Sequence, residues 1–262
     1  MPFTLAHPAA VLPLARRPLV ASALVAGAVA PDLLYLDPLY RFATQQIHGS
    51  LTLTLTHEFS SAFWLDPLIA LILLTVFHLL IRRPLAALAP AGVAARLPVP
   101  PRLTIIVLFW TTVSAVLGAL THVVWDSFTH GDGYFVRRFP DFFRAEVTAT
   151  WDVNRVLQYV STVGGCLILA IWLYRWYRRT APLNPTDQVP SSVRYVVLAG
   201  TTAAGVAGAA VQVGRAEELA GETALRLALT GLVFGGLAAV GGYVVLWHLM
   251  RWRRRDATDG AA

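Results

Sequence analysis

The stretch Leu103–Trp125, LTIIVLFWTTVSAVLGALTHVVW, decides the fold, because no Asp, Glu, Lys or Arg interrupts it. A helix needs about 20 apolar residues to cross the ~30 Å hydrocarbon core of a bilayer. The stretch therefore predicts a transmembrane helix. Its single ionisable side chain, His122, stands close to its end.

The rest of the chain repeats this pattern. Four further long apolar stretches are Ala62–Ile81, Asn154–Tyr174, Val193–Val213 and Leu225–Leu249. The 262 residues are 56% hydrophobic and only 14% charged, with a mean hydropathy of +0.59, whereas soluble domains carry roughly a quarter charged residues. A shorter stretch, Pro18–Ala30, fits a short span, a re-entrant segment or an interfacial helix. We predict an all-α protein, a polytopic transmembrane helical bundle with about five to six spans.

The basic residues predict the orientation in the membrane. All 21 of them are arginines, and if Pro18–Ala30 crosses the bilayer, one side receives twice as many as the other. Cytoplasmic loops carry the excess of basic residues, which predicts both termini in the cytoplasm. The formal net charge of +6 is then explained by arginines beside anionic lipid head groups. The lipid bilayer is the expected partner, and no nucleic acid is required.

The composition divides the chain into two regions. Residues 1–180 hold the polar residues of interest, and we expect them to form a membrane domain with a polar or metal site. Residues 181–262 contain the segments GTTAAGVAGAA and GLVFGGLAAVGG and end in a basic tail. Small residues let transmembrane helices approach closely, so we expect the two Gly/Ala-rich helices of this second region to pair.

The segment ALTHVVWDSFTHGDG carries the clearest candidate site. His122, Asp126 and His130 follow one another at i, i+4 and i+8, along one stripe of a helix. Two ligands four residues apart can hold one metal ion. His130 reaches the same ion only if the helix ends near Thr129. The alternative is that His122 and Asp126 hydrogen-bond each other or a neighbouring helix.

Further candidate ligands fall on the same predicted side, which is extracytoplasmic. They are Asp32, Asp37, His48, His57 and Glu58. Asp32 and His57 are the stronger candidates, since the other three are also consistent with helix caps or solvated loop residues. Mixed histidine and carboxylate ligands suit divalent zinc, manganese or iron, and the lack of thiolates argues against a structural zinc cage.

His7 depends on how the N-terminal residues fold. A single span between His7 and Asp32 would place the two side chains on opposite faces of the membrane. Two short helices folded back on each other between residues 8 and 30 would bring them together. The sequence leaves both arrangements open.

Four segments carry a resemblance: MPFTLAHPAAVLPL at the start, APD at 30–32, THEF at 56–59 and THVVWDSFTHGDG at 121–133. Over residues 1–180 the chain resembles an uncharacterised bacterial membrane family, a domain of unknown function whose members begin MPFTxxHPAAVLP. That family is similar in layout to predicted inner-membrane metal-dependent hydrolases and, more distantly, to the helical zinc-dependent phospholipases C. The resemblance implies the bacterial inner membrane, zinc, and a metal site of His7, Asp32, His57, His122 and Asp126.

These observations suggest a membrane-embedded, metal-dependent hydrolase of phosphoester-type, lipid-related substrates. Asp126 or Glu58 is the candidate base, and Arg137, Arg138 and Arg144 are candidates for holding an anionic substrate. The alternatives are a non-catalytic transporter or sensor of a metal ion or solute, and a structural membrane protein. Transporters commonly contain internal repeats, and no duplication is evident between the two halves, which favours the hydrolase.

Overall fold

The computed structural model describes residues 4–34, 53–100, 102–183, 188–215 and 221–259, and these are mainly helical. Five helical segments are long and apolar enough to cross a membrane, namely Leu65–Leu88, Ile105–Arg138, Val153–Arg179, Ser191–Gly214 and Thr223–Arg253. Each overlaps one of the five long apolar stretches of the sequence. The predicted polytopic transmembrane helical bundle is therefore confirmed.

The regular elements of the described residues are mostly α-helices. In chain order they are α1 (Pro8–Val11), α2 (Ala21–Leu33), α3 (Leu65–Val76), α4 (Arg82–Leu88), α5 (Ala91–Ala94), α6 (Ile105–Thr129), α7 (Tyr134–Arg138), α8 (Pro140–Phe143), β1 (Glu146–Thr148), β2 (Trp151–Asp152), α9 (Val153–Arg179), α10 (Ser191–Gly214) and α11 (Gly221–Asp259). Strands β1 and β2 form an antiparallel pair. Short 3₁₀ turns cover Thr4–Ala6, Leu12–Leu14, Leu53–His57 and Ser61–Phe63, and a π-helical turn covers Phe77–Ile81.

Local sequence signals explain where the two longest helices of the first region begin. Thr104 precedes α6, and its hydroxyl accepts a hydrogen bond from the backbone N–H of Val107. Asp152 precedes α9, and its carboxylate accepts one from the N–H of Arg155. Both are N-caps of the kind that satisfies the free N–H groups of a first helical turn.

The chain forms two compact units. Unit 1 contains Met1–Val76 and Pro98–Ala181, and unit 2 contains Phe77–Leu97 and Pro182–Ala262. Residues 77–97 thus group with unit 2, although they lie in the first of the two regions distinguished by sequence. All predicted site residues that the structure describes belong to unit 1.

Within unit 1, α2 runs parallel to the second half of α6. The backbone N–H of Val20 donates to the Ser114 hydroxyl at 2.9 Å, and Nδ1 of His122 lies 2.8 Å from the carbonyl oxygen of Ala28. Both pairs are separated by 94 residues. The two helices therefore run in the same direction with a constant offset between these contacts. The C-terminal ends of α2 and α6 therefore lie side by side.

Small residues allow this close pairing. A Cβ atom on Gly118 would overlap the carbonyl oxygen of Leu24, and one on Gly27 would overlap the carbonyl oxygen of Ala115. The backbones of α2 and α6 are thus in direct contact, as small-residue interfaces in membranes permit. The adjoining buried core consists of Ala23, Ala26, Ala30, Ala70, Leu74 and Ala115.

Residues 4–33 form a folded-back pair of short helical segments. Thr4–Leu14 and α2 are shorter than the candidate spans, and α2 has only 13 residues. The connection between them bends at Arg16 and Arg17, which are exposed. The structure therefore has the second of the two arrangements considered for His7, and Pro18–Ala30 does not separate His7 from Asp32.

Unit 2 pairs its two longest helices through glycine. Gly208 of α10 and Gly231 of α11 face each other so closely that a Cβ atom on either would overlap the backbone of the other. The predicted pairing of the Gly/Ala-rich helices is confirmed. The Tyr243 hydroxyl donates to the carbonyl oxygen of Pro84 at 3.0 Å, and Nε2 of His248 lies 2.9 Å from that of Leu80.

Candidate metal centre

A buried cluster of two aspartates and four histidines lies at the C-terminal end of α6. Its members are His7, Asp32, His57, His122, Asp126 and His130. Four separate segments contribute them: the turn before α1, the last turn of α2, the 3₁₀ turn Leu53–His57, and α6 with its C-cap. All six residues predicted as metal ligands thus lie close together in the structure. Their proximity does not by itself show that they bind a metal ion.

Asp126 lies at the centre of the cluster. Its Oδ2 is 3.1 Å from Nε2 of His122, 3.4 Å from Nε2 of His57 and 3.3 Å from Nδ1 of His130. Its Oδ1 is 3.5 Å from Nε2 of His7. His130 is the C-cap residue of α6 and lies four residues after Asp126, the spacing at which side chains meet along one face of a helix.

Asp32 completes a four-residue group. Its Oδ1 lies 3.3 Å from Nε2 of His57 and 3.7 Å from Nε2 of His122. One ligand atom from each of Asp32, His57, His122 and Asp126 lies within 4.8 Å of the other three. His7 and His130 touch Asp126 but do not belong to this group.

The spacing of these atoms fits the coordination sphere of a metal ion. Ligands about 2.1 Å from a tetrahedral ion lie roughly 3.4 Å from one another, and the four distances given above between the histidine nitrogens and the carboxylate oxygens of this group run from 3.1 to 3.7 Å. Charge-assisted hydrogen bonds between nitrogen and oxygen are shorter, about 2.7–2.9 Å. The cluster could therefore hold a metal ion.

Burial makes the unsatisfied polar atoms of this cluster significant. His122 is 0% exposed, and Asp32 and Asp126 are each 5% exposed. The buried Nε2 of His122 and both carboxylate oxygens of Asp126 face only the ion-pair partners within the cluster and make no other hydrogen bond among the described residues. Buried polar atoms of this kind depend on one another for compensation, because leaving one unpaired costs about 1–3 kcal/mol, and more for charged groups. A cation among them would satisfy all three atoms.

The surrounding electrostatics favour a positive charge at this point. The C-terminal end of a helix carries a partial negative charge, and two such ends, those of α2 and α6, meet here beside two carboxylates. Burial of the His57 ring opposes its charged form, but hydrogen bonds and charge interactions with Asp126 and Asp32 prevail and raise the pKa of His57 to about 9. With His57 protonated, the cluster is also a salt-bridge network.

Hydrogen bonds to neighbouring groups orient the imidazole rings of His122 and His57. Nδ1 of His122 faces the carbonyl oxygen of Ala28, which leaves Nε2 directed at the carboxylates. The Thr56 hydroxyl donates to the carbonyl oxygen of Pro31 at 2.9 Å and lies 3.2 Å from Nδ1 of His57. Contacts of this kind orient histidines in known metal sites.

Asp66 is a candidate functional residue that the sequence interpretation missed. It is fully buried, and its Oδ2 accepts a hydrogen bond from the Ser61 hydroxyl at 2.9 Å. It is close enough to His57 and His122 to interact with them electrostatically. The available signal was an acid inside the apolar stretch FWLDPLIAL, because ionisable residues at membrane depth are costly and tend to be functional.

The cluster opens on a cavity of about 1200 Å³, called here the site cavity. Its polar wall contains His57, Glu58, Asp126, His130, Asp132 and Arg137, and its apolar wall contains Phe59, Val123, Val124, Phe128, Tyr134 and Phe135. The cavity reaches His57 and Asp126 of the four-residue group, so a ligand could approach the group from this side.

The remaining predicted residues differ in position. Glu58 is exposed on the wall of the site cavity. Of the three arginines, Arg137 lines this cavity, Arg138 lies over the ring of Phe139, and Arg144 donates to the carbonyl oxygen of Gly131 at 3.2 Å. Only Arg137 is therefore positioned toward the cluster. Asp37 and His48 lie outside the described residues.

The fold and the cluster define a multi-pass helical membrane protein with a buried Asp/His site that could bind a metal ion. The chain belongs to the family described as Domain of unknown function (DUF4184), whose model matches residues 1–254. Searches of curated proteins and of solved structures gave no match. The predicted membership of an uncharacterised family is thus confirmed, and it extends over more of the chain than residues 1–180.

Proposed function

We propose that the protein is a membrane-embedded, metal-dependent hydrolase of phosphoesters in lipid-related substrates. The observation that carries this proposal is the spacing of four buried ligand atoms as in a coordination sphere, open to a large cavity. The resemblance of the quoted motifs to predicted inner-membrane metal-dependent hydrolases supports the same reaction class and a bacterial inner membrane.

Asp32, His57, His122 and Asp126 would hold the ion, with His7 and His130 against Asp126. We propose zinc, because the donors are imidazole nitrogens and carboxylate oxygens without thiolates. When bound, a divalent ion supplies Lewis-acid activation of water and of the scissile group.

The other residues of the site have separate roles in this proposal. Arg137 binds the anionic phosphoester, since a guanidinium matches the geometry of phosphate oxygens. Asp126 or Glu58 accepts the proton of the attacking water. The oxygen of that water binds phosphorus, the ester P–O bond breaks, and the alcohol leaves with a proton.

Metal content is the first test. The protein is purified in detergent without chelators, and its metal is measured by elemental analysis in wild type and in His122→Ala and Asp126→Ala variants. We expect stoichiometric zinc in wild type and nearly none in either variant. His248→Ala, which removes a histidine of unit 2 that faces a backbone carbonyl, is the matched control and should keep its metal.

Activity separates the functional classes. The metal-loaded protein should hydrolyse a generic phosphodiester such as bis(p-nitrophenyl) phosphate, and both cluster variants should not. Stoichiometric metal without hydrolysis would favour a transporter or sensor. A metal-free wild-type protein would refute the proposal and leave a salt-bridge network with a structural role.

We also propose that the cluster faces the extracytoplasmic side. If successive spans cross the membrane in alternating directions, arginines are more numerous in the loops on the side away from the cluster, and an excess of basic residues is typical of cytoplasmic loops. Single cysteines replace the exposed residues Asp141, near the cluster end of α9, and Ala181, just after its other end, in a Cys166→Ala background. A membrane-impermeant maleimide added to intact cells should label Asp141→Cys and spare Ala181→Cys. The reverse pattern would overturn this orientation.

A further inference from the structure

A second cavity in unit 1 adjoins the site cavity. It is a depression of about 420 Å³ between α1, α6 and α9, wide open on one side, and we call it the apolar cavity. Val124 and Phe128 line both cavities. The two spaces are therefore neighbours along α6.

The walls of the apolar cavity follow one face of α6. This helix contributes Thr121, Val124, Trp125, Phe128 and Thr129. Their spacing of i, i+3, i+4, i+7 and i+8 defines a single helical stripe, which covers roughly 12 Å of helix length. The cavity thus extends from the level of the cluster toward the middle of a membrane-spanning helix.

Helix α9 supplies the opposite wall with Leu157 and Ser161. The indole Nε1 of Trp125 donates to the Ser161 hydroxyl at 3.1 Å. Because these two polar groups satisfy each other, the wall offers mainly hydrocarbon and aromatic surface. A ligand of this cavity has to be apolar.

The site cavity supplies the charged end. Arg137 lines it together with His57 and Asp126 of the candidate metal group. An anionic group that reached the metal group would lie in the same cavity as this guanidinium. The two cavities together therefore match a molecule with an anionic head and a long apolar tail.

We propose that the substrate is an anionic membrane lipid, with its phosphoester at Asp32, His57, His122 and Asp126 and its tail in the apolar cavity between α6 and α9. This inference rests on the proposed function and adds that the lipid is anionic and that its tail lies between α6 and α9. A lipid reaches such a cavity from within the bilayer. A small soluble phosphodiester would use only the site cavity.

Two esters with the same reacting bond provide the test: methyl p-nitrophenyl phosphate and octyl p-nitrophenyl phosphate. In both, water cleaves the P–O bond to p-nitrophenol, and only the tail differs. Each buried methylene group strengthens binding about fourfold, so we expect kcat/KM of the metal-loaded wild type to be at least about tenfold higher for the octyl ester.

Leu157→Trp tests where the tail lies. Filling the apolar cavity should reduce kcat/KM for the octyl ester about tenfold, which would cancel the advantage of its tail, and leave the methyl ester unchanged. Leu167→Trp is the matched control, because Leu167 is also on α9 but is 59% exposed and is not among the residues that line this cavity. Partition of the octyl ester into detergent affects all variants equally. Leu157→Phe is a milder substitute if the tryptophan variant does not fold.

Equal losses on both esters, or no preference for the octyl tail, would overturn the lipid assignment while leaving hydrolysis intact. If the metal-loaded wild type hydrolyses neither ester, the proposed function fails, and equilibrium binding of octyl phosphate and methyl phosphate decides the ligand class. If octyl phosphate bound more tightly than methyl phosphate and this difference were lost in Leu157→Trp, the proposal of a lipid ligand would stand. Equal binding of the two would refute it.

Discussion

Two helix pairs in this protein use the same packing and differ in what they carry. In unit 1, α2 and α6 touch through Gly27 and Gly118, and in unit 2, α10 and α11 touch through Gly208 and Gly231. Helix α10 contains no His, Asp or Glu, and the one histidine of α11, His248, faces a backbone carbonyl, whereas the pair in unit 1 ends in the Asp/His cluster. Close glycine packing is therefore a means of assembly in both units, and the chemistry depends on the residues at the helix ends.

The comparison also shows what close packing contributes to a site. Because α2 and α6 touch along their backbones and advance in register, Asp32 and Asp126 are held at fixed positions relative to each other. Ligands held within about 0.5 Å of a productive geometry are what a functional site needs. The glycine contacts in unit 1 are therefore expected to matter for metal binding, and those in unit 2 for stability alone.

Gly118→Val should have the largest effect on stability and metal content among the variants that test this comparison. Its side chain would overlap the carbonyl oxygen of Leu24 and push α2 away from α6, which separates Asp32 from the rest of the cluster. We expect a loss of stability of at least about 1–3 kcal/mol, as for other overpacked interiors, together with loss of most bound metal. Thermal unfolding in detergent and elemental analysis measure the two quantities.

The matched variant is Gly231→Val, which makes the same kind of overlap with Gly208. It should lower the unfolding temperature to a similar extent and leave the metal content of the folded protein unchanged. If both variants lost metal equally, the distinction between the two helix pairs would be wrong.

A smaller effect is expected from Thr56→Val, which removes a hydroxyl beside Nδ1 of His57. Loss of a group that orients a metal ligand typically weakens metal binding 10–100-fold, and we expect a decrease of about that size in a competition assay with a zinc chelator. Thr75→Val serves as control, since the Thr75 hydroxyl only donates to the carbonyl oxygen of Leu71 on an exposed part of α3. Identical affinities in the two variants would show that His57 does not depend on Thr56.

Much of this architecture was predictable because it follows from local patterns. Apolar length alone located the five candidate spans, and helical periodicity placed His122 and Asp126 on one face. The Gly and Ala content of the second region predicted its helix pair. The same spacing of four residues placed His130 beside Asp126.

The rest depended on contacts between distant segments. The position of His7 follows from the fold-back of residues 4–33, and that fold-back is set by a parallel pairing with α6 that no local pattern encodes. Asp66 was missed because it lies in the first turns of an apolar stretch, where a single acid is easily interpreted as a residue at the membrane surface. Only its burial with Ser61 beside the cluster distinguishes it.

The contact between His122 and the Ala28 carbonyl has an evolutionary consequence. Every amino acid provides a carbonyl oxygen, so a mutation of Ala28 cannot delete this acceptor as a mutation can delete an Asp or Glu. What must be preserved is instead the small size of the neighbouring residues, which keeps the two helices near enough for the ring to reach the main chain. Sequences of this family should therefore keep glycine at position 27 and tolerate exchange among small residues at the alanine and serine positions of α2 while the imidazole keeps its support. An alignment that showed bulky residues there beside a retained histidine would contradict this view.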